Sequence, residues 1–373
     1  MQLRRMANTK NCKIVLATGG TGGHIFPALA VAREIENLAL QQAEVLFVGG
    51  KYGQEQKIVT DAGYKIYLLP VKGILGKGIK AISNMGFVLY SMIICFLWLR
   101  KVKPDVVVGF GSYASFVPVY VAWKMRIPTC IHEQNSYPGF TNRFLGKRVD
   151  RIFLSFPDDM GIFDKNKTEV LGNPVRQEII EAAKVSNGSI DGGNKRINLL
   201  IIGGSQGAKG INDAVLESLA LFKSIGVSLY HQTGKLDYER VVSVYRSSGL
   251  KNYRVVPFID DMTDAYLWAD LVVCRAGAST IFELATMGKP SILIPYPYAA
   301  NDHQRKNARY LEKVGGAMVV EQGFLERNSL GNIVADLVAI PGKLKEMSKA
   351  AKSIAKPDAT IRLTHRILEL SRC

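Results

Sequence analysis

Short apolar, largely β-branched runs alternate with longer segments of helical periodicity through almost the whole 373-residue chain. In the first half these runs predict strands at 13–18, 44–49, 66–69, 105–109, 127–131 and 151–154. Helices fill the intervals at 24–40, 53–62, 79–101, 112–125 and 139–147. The second half repeats the pattern, with strands near 197–202, 227–231, 253–256, 271–273, 291–294 and 317–320. Its helices are expected at 207–223, 237–247, 261–267, 278–287, 301–313 and 328–338. Apolar strands alternating with helices predict parallel, doubly wound sheets. The expected architecture is therefore α/β, with two Rossmann-like lobes facing a central cleft. The first spans 1–174 and is joined by a carboxyl-terminal helix within 355–373, at about 358–370; the second spans 175–354. Gly172-Asn173-Pro174-Val175-Arg176 reads as an interdomain hinge, and the polar, glycine-rich stretch 185–195 as a surface loop.

Two strand ends carry glycine-rich turns 184 residues apart, Gly19-Gly20-Thr21-Gly22-Gly23-His24 and Gly203-Gly204-Ser205-Gln206-Gly207-Ala208. Strand, glycine turn and helix together aim backbone N–H groups and a helix dipole at an anion, usually phosphate. A third turn, Gly109-Phe110-Gly111-Ser112-Tyr113, can hold a second anion in the first lobe. The first turn lacks the GxGxxG pattern, and Gly49-Gly50-Lys51 stands where a dinucleotide site would place its acid, so a nicotinamide cofactor is not expected. His132-Glu133-Gln134-Asn135 follows a predicted strand, where four adjacent polar residues suit a cleft lining; His132 and Glu133 can equally be a satisfied pair that fixes the loop. In the second lobe, Cys274-Arg275-Ala276-Gly277-Ala278-Ser279-Thr280 forms another strand-to-helix turn, and Glu283, one turn further on, can accept both hydroxyls of a ribose. Asn301-Asp302-His303-Gln304 with Asn307 offers side chains suited to sugar hydroxyls.

Charge narrows the partners. The net charge is +16, and residues 1–176 carry 23 Lys and Arg against 12 Asp and Glu, leaving the first half at +11. Such a basic half implies nucleic acid, an anionic membrane or a phosphorylated substrate. No zinc-finger spacing, RNP-type aromatic motif or basic recognition helix is evident, so nucleic acid is not expected. Five cysteines without CxxC spacing indicate neither a metal site nor a disulfide framework and fit a reducing cytoplasm; no signal peptide is expected. The uncharged run Phe87 to Leu99 has 13 residues, short of the roughly 20 that span a bilayer. It is expected to be a core helix. Its approach, with Ile74, Leu75 and Ile79 among Lys72, Lys77 and Lys80, is expected to touch the headgroups of a membrane.

The blocks GGTGGHIFPALA (19–30), GFGSY (109–113), HEQN (132–135), GNPVR (172–176), GGSQGA (203–208), FIDDM (258–262), CRAGAST (274–280) with Glu283, and DHQ (302–304) with Asn307 closely resemble the MurG family. These are the bacterial UDP-N-acetylglucosamine transferases of peptidoglycan synthesis. Ser136 to Phe140, after HEQN, departs from the small residues more usual there. The resemblance implies a GT-B fold and transfer of N-acetylglucosamine from the UDP-sugar to the 4-hydroxyl of the muramoyl sugar of lipid I, making lipid II. It also implies a peripheral protein on the cytoplasmic face of the inner membrane, whose partners are UDP-GlcNAc, lipid I, the anionic surface and other cell-wall synthesis proteins. Donor contacts follow at Thr21, Gly22, Gly23, Asn135, Arg176, Ser205, Ile259 (through its backbone), Ala278, Ser279, Thr280, Ile281, Phe282, Glu283 and Gln304.

Inverting displacement at the anomeric carbon needs a base and a stabilised leaving group. His24 is the first candidate base, because an imidazole ordinarily titrates near pH 6.5; His132 and Glu133 are its rivals. The Ser205 turn and helix start are expected to stabilise the UDP, with no metal or other cofactor required. Gly20, Gly109, Gly111 and Ser112 are expected to hold the acceptor pyrophosphate. The alternatives are a UDP-GlcNAc 2-epimerase of the same two-lobe plan and a noncatalytic membrane-associated UDP-sugar binder.

Overall fold

The computed structural model describes residues 12–38, 42–71, 80–185, 196–204, 206–325 and 330–371, with the side chains of 80–85 excepted. The chain divides into two compact units, Met1–Arg176 with Asp358–Cys373, and Gln177–Pro357.

The first unit is built on seven parallel strands: β1 (Cys12–Ala17), β2 (Ala43–Gly50), β3 (Ile66–Leu69), β4 (Val106–Gly109), β5 (Thr129–Glu133), β6 (Arg151–Leu154) and β7 (Thr168–Val170). Their order is β3-β2-β1-β4-β5-β6-β7. The order reverses between β1 and β4, which pair from Ile14↔Val106 to Ala17↔Gly109. Alternation along β1 divides the core. Ile14 and Leu16 pack with α1 (Gly22–Leu38) and with Leu363 and Ile367 of the last helix, Ala359–Ser371. Val15 and Ala17 face the opposite layer, with residues of α3 (Lys80–Val102) and α4 (Ser112–Lys124). Helices α2 (Glu55–Asp61) and α5 (Phe140–Gly146) complete the unit. The last helix is also tied to β7, where Glu169 meets Arg362 at 3.2 Å and Arg366 at 2.8 Å.

The second unit has six parallel strands, β8 (Asn198–Ile202), β9 (Ser228–Gln232), β10 (Tyr253–Val256), β11 (Leu271–Cys274), β12 (Ser291–Leu293) and β13 (Ala317–Val319). Their order, β10-β9-β8-β11-β12-β13, reverses between β8 and β11. Its helices are α6 (Gln177–Val185), α7 (Lys209–Glu217), α8 (Leu219–Ser224), α9 (Tyr238–Ser247), α10 (Met262–Trp268), α11 (Ala278–Met287), α12 (His303–Lys313), α13 (Gln322–Leu325), α14 (Leu330–Ala339) and α15 (Lys343–Ser353).

Four expectations need correction. The helix expected at 207–223 is two helices joined at Ser218, whose hydroxyl donates to Ala214 O and accepts from Gly331 N–H. Strand β5 runs on through Glu133, so His132 and Glu133 lie on the strand and not beyond it. Cys12 is disulfide-bonded, whereas Cys95, Cys130 and Cys274 are free and buried. Helix α3 is not wholly core. Ser91, Cys95 and Leu99, four residues apart, are buried, and Trp98 stacks on Tyr67 at 4.7 Å. Leu89, Tyr90, Ile93, Phe96 and Leu97 are exposed, because a helix meets a sheet along one stripe only.

Candidate functional site

In an open parallel sheet, ligands bind outside the carboxyl ends of the strands where the strand order reverses. At the reversal of the first unit, the turn after β1 carries Gly19 to Gly23 and the turn after β4 carries Phe110 and Gly111. At the reversal of the second, the turn after β8 carries Gly203 to Gly207 and the turn after β11 carries Arg275 to Gly277.

The two turns of the first unit approach each other closely. Phe110 N–H donates to Ala17 O at 2.8 Å. A Cβ on Gly20 (φ +83°) would lie 3.5 Å from Ser112 Cβ. Ser112 opens α4 with φ 64°, a left-handed conformation uncommon outside glycine, and its Oγ accepts from Ala114 N–H. Beneath the first turn sits Glu55, fully buried, a residue that motif reading passed over. Its carboxylate accepts from Gly50 N–H at 2.9 Å and Gly20 N–H at 3.3 Å. The Gly20 N–H, expected to face phosphate, therefore points at a carboxylate. The acceptor role expected for Gly20 loses its donor; the start of α1, at Gly22 and Gly23, is the part of the turn where a helix dipole favours an anion.

His24 is half-buried on the first turn of α1, and its Nδ1 lies 2.7 Å from Gln134 Oε1. His132 is fully buried, with Nε2 3.1 Å from Gly172 O and Nδ1 3.0 Å from Gln134 Nε2. Loss of water at this site pushes its pKa down to about 4, against the opposing effect of the Gly172 hydrogen bond. Glu133 is 2% exposed. Its oxygens accept from Asn135 N–H at 3.0 Å, Gly139 N–H at 3.1 Å and Asn142 Nδ2 at 2.9 Å. These bonds fold the chain after β5 back on itself and fix Asn135, whose Nδ2 also donates to Glu133 at 3.3 Å. Arg176 closes the unit with its guanidinium 5.7 Å from the centre of the Phe26 ring.

In the second unit Ser205 lies outside the described residues. The turn around it is held by Gln232, buried at the end of β9, which sequence reading also missed. Gln232 Oε1 accepts from Gly203 N–H at 3.1 Å, and its Nε2 donates to Gly204 O at 3.0 Å. Gly207 (φ +76°) leaves no room for a side chain: a Cβ would lie 2.2 Å from Thr233 O. Among the described residues nothing lies within 4 Å of the Cβ position of Gly204 (φ +84°). Helix α11 starts after Gly277, and Glu283 on it is 8% exposed, with Tyr266 OH donating to Oε2 at 3.0 Å. Ile281 and Phe282 are buried, so their side chains serve the core and only their backbone is available at the site. Ala278 is buried, and Ser279 and Thr280 are half-buried on the first turn. Ile259 is 4% exposed, in the loop between β10 and α10.

The polar cluster at the start of α12 divides. Gln304 Oε1 accepts from Tyr296 N–H at 2.9 Å, which orients its amide. Asn307 is fully buried and donates to Ala276 O at 3.2 Å, tying α12 to the β11 turn. Asn301 and Asp302 hold φ of 53° and 56°, adjacent left-handed conformations of the kind that cluster at functional sites. Among the described residues, no group of three or more His, Cys, Asp or Glu is placed to hold a metal ion. No helix among them is long and apolar enough to cross a membrane.

Comparison with known proteins matches both halves of this arrangement. Residues 14–154 match the glycosyltransferase family 28 N-terminal domain, and 198–363 the glycosyltransferase family 28 C-terminal domain. The chain is 43% identical over 360 residues to the UDP-N-acetylglucosamine--N-acetylmuramyl-(pentapeptide) pyrophosphoryl-undecaprenol N-acetylglucosamine transferase of Nitratidesulfovibrio vulgaris (strain Miyazaki F), covering 93% of this chain and 94% of the relative. The crystal structure of Acinetobacter baumannii MurG superposes with a TM-score of 0.75 at 31% identity, covering 96% of this chain and 99% of that one. A UDP-GlcNAc 2-epimerase from Neisseria meningitidis, bound to UDP-GlcNAc, shares the fold with a TM-score of 0.65 at only 14% identity, covering 96% and 100% of the two chains.

Proposed function

The chain belongs to the MurG family of glycosyltransferase family 28, and from that membership we propose that it transfers N-acetylglucosamine from UDP-GlcNAc to the 4-hydroxyl of the muramoyl sugar of lipid I. The observation that carries the assignment to this chain's residues is the coincidence of all four motif turns with the two reversals of strand order. The second unit holds the donor. The ribose lies on Glu283, oriented by Tyr266, and the uracil on the backbone at Ile259. The diphosphate meets the N–H groups around Gly204 and Ser205 and at the start of α11, where Ala278, Ser279 and Thr280 lie. The dipole of α11 is fixed before reaction and stabilises the charge that develops as UDP leaves. Gln304 acts on the sugar.

The first unit holds the acceptor and the base. We assign proton removal to His24, whose half-buried ring stands at the strand reversal. His132 and Glu133 are spent otherwise: His132 is sealed and neutral, and the carboxylate of Glu133 accepts from Asn135, Gly139 and Asn142 and braces the loop that carries Asn135. The acceptor diphosphate lies at the start of α1 and at Gly109, Gly111 and Ser112, with Glu55 behind Gly20 steering it away from that residue.

The enzyme reaches its lipid substrate from an anionic membrane surface. The exposed face of α3, with Leu89, Ile93, Phe96 and Leu97, is followed by Arg100, Lys101 and Lys103. That pairing suits shallow insertion with cations at the headgroups. Ile74, Leu75, Ile79, Lys72 and Lys77 lie outside the described residues, as does the side chain of Lys80.

Labelled UDP-GlcNAc with lipid I, followed by separation of the lipid fraction, tests the reaction. Label in a disaccharide lipid, with stoichiometric UDP, is the expected result. Epimerised sugar without a lipid product, or binding without turnover, would contradict it.

A further inference from the structure

Gln134 is 1% exposed, and its geometry allows only one arrangement of protons. Carbonyl oxygens only accept, so Gly172 O, 3.1 Å from His132 Nε2, places a proton on that nitrogen. Ser155 Oγ, 3.5 Å from the same nitrogen, agrees, because its own proton goes to Asn173 Oδ1 at 3.2 Å. His132 Nδ1 is then an acceptor and takes a proton from Gln134 Nε2 at 3.0 Å. A second carbonyl fixes the amide independently: Gln134 Nε2 also donates to His132 O at 3.1 Å. Gln134 Oε1 is therefore the atom that faces His24 Nδ1 at 2.7 Å, and Nδ1 must carry the proton.

We propose that Gln134 is a positioning residue that locks His24 in its Nδ1–H tautomer, leaving Nε2 as the lone-pair nitrogen that takes the acceptor proton. The buried His132, anchored on Gly172 O, is the fixed end of this relay. Its role is to stay neutral and hold the amide, and desolvation keeps it so at working pH. Gly111 (φ +85°) closes the side of the relay. A Cβ there would lie 3.1 Å from His24 Nδ1 and 3.4 Å from Gln134 Oε1, which explains a glycine at this point of the turn after β4. An imidazole in water favours the opposite tautomer, so without Gln134 the proton would sit mostly on the nitrogen that must be bare.

The proposal rests on His24 as the base, and the two are separable. The chain has five histidines, few enough for long-range ¹H–¹⁵N spectra of the full-length protein to report each ring's tautomer. His24 is expected as Nδ1–H and His132 as Nε2–H. In Gln134→Leu, His24 should move to mainly Nε2–H while His132 stays as it was. kcat should fall roughly 10- to 100-fold with the KM for UDP-GlcNAc unchanged. Gln134→Glu, protonated at this buried position, keeps an acceptor for His24 and a donor for His132, and should retain about tenfold more kcat than Gln134→Leu. An Nε2–H tautomer of His24 in the wild type would overturn the relay, as would an unmoved tautomer and kcat in Gln134→Leu. Should Gln134→Leu fail to fold, the wild-type spectrum decides alone. Near-normal turnover in His24→Ala beside the expected tautomers would remove the base and leave the relay standing.

Discussion

The glycine turns after β1 and β8 share a strand, a turn, a helix and a place at the reversal of their sheets, yet they are braced by opposite chemistry. The first is backed by ionisable groups. Glu55 holds Gly20 and Gly50, and His24 is coupled through Gln134 to His132. The second is held by a neutral amide, Gln232, and by backbone packed so tightly that Gly207 can be nothing else. The nearby histidine of the second unit, His231, is sealed between Asn212 and Tyr245. One architecture therefore carries two differently braced turns. The proposed function places acceptor activation on the first and leaving-group stabilisation on the second.

The comparison can be broken at several points. The largest effect should come from His24→Ala, expected to lower kcat by roughly 10² to 10⁴ while donor affinity stays within about twofold. Steady-state kinetics with both substrates varied, alongside UDP titration, checks it. A loss confined to donor affinity would reverse the roles of the turns. Next, Gly207→Ala should cost more than about 3 kcal/mol, because its Cβ would overlap Thr233 O and its φ is left-handed. Gly204→Ala, at a similar φ but in open space, should cost about 1–2 kcal/mol. Urea unfolding of both variants gives the contrast, and equal losses would contradict the packing argument.

Glu55→Gln places an amide N–H against the N–H of Gly20 or Gly50 and should cost about 1–3 kcal/mol in acceptor-side turnover or stability. Donor KM should not move; a donor defect would place Glu55 in the wrong role. Acid acts on both units. Burial holds the pKa of His132 down to about 4 and of His231 down to about 3, below the roughly 6.5 of an unfolded chain. Below pH 6.5 the unfolded state binds more protons, so stability is lost as pH falls towards 4 and 3 respectively. At pH 5 each histidine should account for about 2 kcal/mol. His231→Gln should flatten the pH dependence of unfolding between pH 7 and 5, and an unchanged slope would show that another group sets it. The smallest effect is at Glu169, whose pKa Arg366 and then Arg362 hold low. The stability it adds is present above the unfolded carboxylate value and fades as pH falls through the folded one. The pair is about a third exposed or more, so Glu169→Gln should cost under about 1 kcal/mol in urea unfolding.

Much of the fold was legible because parallel strands announce themselves. The β-branched runs at 13–18, 105–109 and 197–202 gave the central strands β1, β4 and β8 to within two residues. Helix α15 escaped because its composition is polar, although Leu344, Met347, Ser348 and Ala351 carry the i, i+3, i+4, i+7 stripe that it buries. Helix α3 misled for the opposite reason. A run that is apolar all round shows no face, so sequence could not say that Ile93 and Leu97 stay outside. Motif residues on turns were legible as residues but not as partners. Glu55 and Gln232 stand 35 and 28 residues from the turns they brace, a distance that only the sheet closes. Asn307 reads as a sugar ligand until its amide is seen on Ala276 O.

The division of labour between the two turns is tested most directly by a crystal structure of the full chain with UDP. The account predicts the diphosphate at Gly204 and the start of α11, with the ribose hydroxyls on Glu283. A UDP whose diphosphate and ribose lie away from Gly204, α11 and Glu283 would contradict it.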